Sequence, residues 1–117
     1  MKLKVDNSEP LILITLDNSL FNKLIHQVEK DFVLANIPLK IPETLDAVGF
    51  IALIRKKVYY LIMEHFAEYL NLMYIIDIPE KEFQHIDITD TIDVADQITL
   101  LILKREYKKV WYRNRYQ

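Results

Sequence analysis

Along this chain the spacing of apolar positions changes several times, and each change predicts an element. Residues 11–16 (LILITL) form an unbroken apolar run between Ser8-Glu9-Pro10 and Asp17-Asn18-Ser19. Its length and its turn-forming flanks predict a short buried strand. From residue 19 the period lengthens. Leu20, Phe21, Leu24, Ile25, Val28, Phe32 and Ala35 fall on one side of a helix, with Asn22, His26, Glu29 and Lys30 opposite. This predicts a first helix over 18–35, capped from the Asp17-Asn18-Ser19 region.

Pro38 and Pro42 interrupt the pattern, so IPLKIPE reads as an extended connector. A second helix is predicted over 44–55, with Thr44 as cap and Asp46 in its first turn, where the helix dipole favours an acid. Residues 47–54 are apolar all round. Arg55-Lys56-Lys57 then either ends this helix or lies as a solvated stretch within a longer one. A third helix is predicted over 57–74. Projected at helical spacing, Tyr59, Ile62, Met63, Phe66, Ala67, Leu70, Met73 and Tyr74 form one broad face, and Lys57, Glu64, Glu68 and Asn71 a narrow polar stripe opposite. Residues 74–78 (YIIDI) read as a second strand-like piece ending at Pro79, or as a last helical turn.

The last helix is predicted over 91–113, with Asp87, Thr89 and Asp90 available as caps. Its faces rotate. Val94, Ile98, Leu101 and Ile102 lie together, while Leu100 and Leu103 begin a second stripe running through Tyr107, Val110 and Trp111. Both sides of residues 98–103 are therefore apolar, which predicts an enclosed centre. These elements describe a mainly α domain of about four helical segments, residues 1–117 forming one compact unit with one or two short strand-like pieces. An α+β arrangement with a small sheet is the alternative.

Composition supports the helical reading. Gly49 is the single glycine, so the tight turns of a β-meander are scarce. The same scarcity removes glycine-rich phosphate loops and nucleophile elbows. Cysteine is absent, which excludes disulfides, thiolate chemistry and cysteine zinc sites, and suits a reducing compartment. The apolar run near the N-terminus is shorter than a signal-peptide core, and no run approaches the ~18 residues of a membrane span. The expectation is a soluble, cytoplasmic protein without membrane contact.

Net charge is −2 but unevenly placed. Residues 77–96 carry seven acids against Lys81 alone, and residues 104–117 six bases against Glu106 alone. The basic arc of the last helix holds Lys104, Arg105, Lys108, Lys109, Arg113 and Arg115, with Tyr112 and Tyr116 among them. Helix ends favour cations anyway, and long basic stems also serve as ordinary solvated cover. Two functional readings stand beside that one. A protein interface, formed with a second copy or a larger assembly, would use Tyr107, Trp111, Tyr112, Arg113 and Tyr116, because Tyr, Trp and Arg dominate binding hot spots. Nucleic-acid binding would use the six cations on phosphates and the aromatics on unpaired bases. The acidic overall balance counts against it.

Catalytic signals are weaker. Each histidine has a glutamate three positions away: His26 with Glu29, His65 with Glu68, His85 with Glu82. Such pairs occur in two-metal bundle sites but also in ordinary surface pairing. Glu64 and Glu68, four apart, are the only acid/base pair worth naming, with a nearby histidine as third member of a helical enzyme or metal site. No catalytic residue, metal ligand or cofactor is assigned on this basis. The leading expectation is a non-enzymatic interaction or structural module, self-associating or part of a larger assembly.

Overall fold

The computed structural model describes residues 18–84 and 90–115, and the strand expected at 11–16 lies outside them. Among the described residues five helices follow in order: α1 (Asn18–Leu34), α2 (Ala47–Glu64), α3 (Phe66–Ile76), the single turn α4 (Glu80–Phe83) and α5 (Thr91–Arg115). There is no strand among the described residues, and the mainly α fold stands. The radius of gyration is 13.6 Å, about the value expected for a compact chain of this length. No described helix is long and apolar enough to cross a membrane.

The central element is α5, which packs against α1, α2 and α3, while α3 also meets α1 and α2. The expected apolar stripe of α1 is buried through Leu24, Val28, Phe32 and Ala35, with Leu20, Phe21 and Ile25 partly covered. Phe21 meets Phe50 of α2 edge to face at 5.7 Å between ring centroids. On α5, Val94, Ile98, Leu101, Ile102 and Leu103 are all buried, so the enclosed centre expected around residues 98–103 is present.

The predicted start of the second helix needs correction. Leu45 donates its N–H to Pro42, and this turn delays the helix past Thr44. The cap is Asp46, in extended conformation, whose carboxylate accepts from the Gly49 N–H at 2.8 Å. Of the two readings of Arg55-Lys56-Lys57, the solvated stretch within a longer helix holds, and the boundary between segments 44–55 and 57–74 is absent. α2 runs through Arg55-Lys56-Lys57, where Arg55 reaches Asp96 of α5 at 3.4 Å.

The helix breaks instead at His65 (φ −143°, ψ 61°), which donates its N–H to Leu61 and accepts the Tyr69 N–H. The sequence explains the position. Ile54, Val58, Leu61, Tyr69, Leu72 and Ile76 form one buried stripe at helical spacing, and His65 occupies the polar gap in it. Leaving helical geometry at that residue turns the imidazole outward, where Nε2 lies 2.8 Å from the Tyr60 hydroxyl. The broad face predicted from Tyr59 to Tyr74 is therefore mostly the wrong one. Tyr59, Met63, Phe66, Ala67, Leu70 and Tyr74 are exposed, while Met73 is buried and Ile62 partly so.

Residues 74–78 are not a strand. α3 continues to Ile76 and ends with Asp77 in the left-handed region at φ 70°, its N–H bonded to Met73 and Tyr74 and that of Ile78 to Met73. Asn36 (φ 63°) closes α1 in the same way, with Ile37 donating to Phe32 and Asn36 to Val33. Both are Schellman ends, with a buried isoleucine after the left-handed residue and then a proline. Asx-Ile-Pro supplies what glycine usually would, because Asn and Asp tolerate the left-handed region.

Candidate functional site

The least expected feature of the interior is polar. On α5, Ile98, Ile102, Glu106 and Val110 are spaced four apart on a buried stripe, so Glu106 points inward and is fully buried. On α1, Asp31 lies at the corresponding inner position and Gln27 is one turn earlier, both buried. Lys109 bridges the seam. Its Nζ is 2.8 Å from Asp31 Oδ2 and 3.0 Å from Glu106 Oε1. Gln27 donates to Asp31 at 3.2 Å and accepts from Arg113 at 2.9 Å.

Burial pushes the Glu106 carboxyl up to about 9, and the hydrogen bond and negative charge of Asp31 push the same way against Lys109. Burial also opposes ionisation of Asp31, but hydrogen bonds from Glu106, Lys109 and Gln27 outweigh it and hold this carboxyl below its ordinary value. At neutral pH Glu106 is thus a neutral acid, Asp31 a carboxylate and Lys109 its counterion. The group is electrically balanced, which is how a seam tolerates ionisable side chains away from water. Its enclosure leaves no room for a substrate at Glu106.

The basic arc of α5 is largely engaged within the chain. Lys109 belongs to the buried group, Arg105 bonds Asp77 at 3.0 Å, Arg113 bonds Gln27, and the Arg115 guanidinium sits 5.2 Å from the Trp111 ring. Lys104 and Lys108 line a polar hollow with Asp77 and Glu82. Of the interface residues expected from the sequence, Tyr107 is half-buried against the core and Tyr116 lies outside the described residues. Trp111 and Tyr112 are exposed and stack edge to face at 5.1 Å.

Glu64 and Glu68 do not share one helix stripe, since the break at His65 separates them. His65 Nδ1 is 4.0 Å from Glu68 Oε2 and His26 Nδ1 is 3.9 Å from Glu29 Oε1, both at the surface. Glu29 has a local task, accepting the Ile41 N–H of the connector. His85 lies outside the described residues, and among those described no group of three or more His, Asp or Glu side chains is placed to hold a metal.

Two surface features were missed by the sequence reading. A cleft of about 220 Å³ lies between α1 and α5, lined by Lys23, His26, Gln27 and Lys30 on one wall and Val110, Arg113 and Asn114 on the other. The outer face of α3 exposes Phe66, Leu70 and Tyr74, spaced four apart, at 54%, 46% and 82%, with Met63 of α2 exposed nearby in sequence. Both were legible in part. The cleft residues recur three and four apart along each helix, and α2–α3 carries two apolar stripes where one would serve a core.

No family model, curated protein or solved structure matches this chain.

Proposed function

We propose that this chain is a non-enzymatic, cytoplasmic interaction module that associates with a second copy of itself through the outer face of α3. The observation that carries the reading is the Phe66, Leu70, Tyr74 stripe. A helix as apolar outside as this one marks a contact surface, because water is a poor partner for such a row. The stripe suits its own copy. It reads aromatic, leucine, aromatic about a midpoint at Leu70 and contains no charge, so antiparallel pairing about a two-fold axis sets Leu70 on Leu70 and Phe66 near Tyr74 without like-charge repulsion.

The surface also has room to grow. Asn71 of α3 donates to the Ala35 carbonyl at 3.3 Å, which brings the last turn of α1, with Val33 and Leu34 exposed, alongside α3. The Trp111–Tyr112 pair is a second aromatic patch and the competing contact. For nucleic acid the support is thinner, since most of the six cations of α5 already have partners within the chain. The absence of cysteine suits the reducing cytoplasm.

Light scattering across a concentration series, at low and high salt, tests this reading. A dimer that persists at high salt and is dissociated by Leu70→Glu but not by Trp111→Ala is expected. A strict monomer under all conditions refutes self-association, and dissociation by Trp111→Ala alone moves the contact to α5.

A further inference from the structure

We propose that the cleft between α1 and α5 binds a small phosphate-type oxyanion, inorganic phosphate or a phosphate monoester, gripped by Lys23, Lys30 and Arg113 above a floor made by Gln27. Helical spacing builds the walls. Lys23, His26, Gln27 and Lys30 occupy one face of α1 over two turns, and Val110, Arg113 and Asn114 the facing edge of α5. Three permanent cations converge there, with His26 at the rim and no carboxylate in the lining. Such a concentration of one sign creates a local positive field although the chain as a whole is at −2.

The hydrogen-bond inventory points to the same ligand class. The side-chain acceptors of the lining include the Gln27 and Asn114 carbonyl oxygens, already used by Arg113 at 2.9 Å and Lys23 at 2.7 Å. Donors remain in excess. The guanidinium has further N–H groups, each ammonium has protons to spare, and the Asn114 amide nitrogen can donate. A ligand that brings only acceptors and negative charge answers that surplus. A tetrahedral oxyanion of charge −2 offers oxygens to both walls at once, whereas a carboxylate offers two in one plane.

The floor is held in place from inside. Gln27 is buried, and its amide nitrogen is fixed by Asp31, itself tied to Lys109 and Glu106. Arg113 is oriented by the other end of the same amide. The cleft thus has a positioned rather than a loose cation on α5. Its volume of about 220 Å³ is below the roughly 300 Å³ at which pockets for drug-sized ligands begin, which favours a small anion.

NMR titration of the full chain with inorganic phosphate, glycerol phosphate and, at matched ionic strength, sodium chloride tests the site. Expected are saturable shifts confined to residues 23–30 and 110–114, with a Kd on the order of 1 mM or below. Tighter binding of one phosphate form identifies the source. The Lys30→Gln plus Arg113→Gln variant should weaken binding at least about tenfold, equivalent to about 1.4 kcal/mol. Lys104→Gln plus Lys108→Gln removes the same charge elsewhere on α5 and should change it less than about twofold. The proposal is overturned by equal shifts with chloride, by equal weakening in both variants, or by shifts that never saturate. It is overturned as well if a single-stranded oligonucleotide binds and neither phosphate form does.

Discussion

The α1–α5 seam and the outer face of α3 invert the usual distribution of side chains in opposite directions. The seam buries Asp31, Glu106 and Gln27 between two helices, and α3 leaves Phe66, Leu70 and Tyr74 in solvent. The two inversions differ in what would relieve them. The seam is balanced in charge within the chain, because Lys109 offsets Asp31 and Glu106 stays neutral. The α3 face has no cover from the described residues of its own chain. A buried ionisable group is tolerated where its charge is compensated, whereas an uncovered apolar row has the character of a contact surface.

The strongest way to break this contrast is to unbalance the seam. Lys109→Met leaves the Asp31 carboxylate buried without its cation, and unfolding by urea should show a loss of about 3 to 5 kcal/mol. A loss below about 1 kcal/mol would mean that water already reaches the pair.

The pH profile of the same seam comes next. Glu106 titrates near 4.5 when unfolded and near 9 in the fold. Below 4.5 both states hold the proton. Between 4.5 and 9 the folded state keeps a proton that the unfolded chain has lost, so stability should fall as pH rises, by roughly 1 kcal/mol per pH unit. Asp31 acts in the other window, since its lowered value makes its contribution fade only as pH falls below the ordinary 3.8. Glu106→Gln keeps a neutral donor in place and should flatten the profile between pH 5 and 9. A profile in that range unchanged by Glu106→Gln would contradict a neutral Glu106.

On the opposite side of the comparison, Leu70→Glu should weaken the proposed self-association by about tenfold or more, about 1.4 kcal/mol. It should shift folding stability by no more than about 0.5 kcal/mol. Light scattering and urea unfolding on one sample separate the two effects. Loss of folding in place of loss of the dimer would make Leu70 a core residue. The smallest effect is expected at Arg105→Ala. Its pair with Asp77, at 3.0 Å, is also a cation–carboxylate pair, but Asp77 is largely exposed and Arg105 only partly buried, so stability should change by less than about 1 kcal/mol.

Much of the fold was written in local pattern. The stripe of α1, the proline-marked connector and the enclosed centre of α5 each follow from the spacing of apolar residues, which a helix converts directly into a face. Glu106 could have been found the same way, as the one acid on the Ile98, Ile102, Val110 stripe, but beside six bases it read as part of a charged surface. The Asx-Ile-Pro endings were also legible. Residues 74–78 looked strand-like because a short apolar run before proline fits both states.

The sequence by itself determined that the chain is helical, where its prolines interrupt it, and that α5 is apolar in the middle and basic at the end. Only the tertiary structure decided which of two apolar stripes on α2 and α3 goes inside, that the helix breaks at His65 and not at Arg55-Lys56-Lys57, and that Asp31, Glu106 and Lys109 meet. The physical reason is that periodicity reports a single helix's faces, and two apolar stripes on one helix score alike until another element covers one of them. Likewise a carboxyl's neighbour in space can lie far away in sequence, as Asp31 and Lys109 do, and only packing joins them.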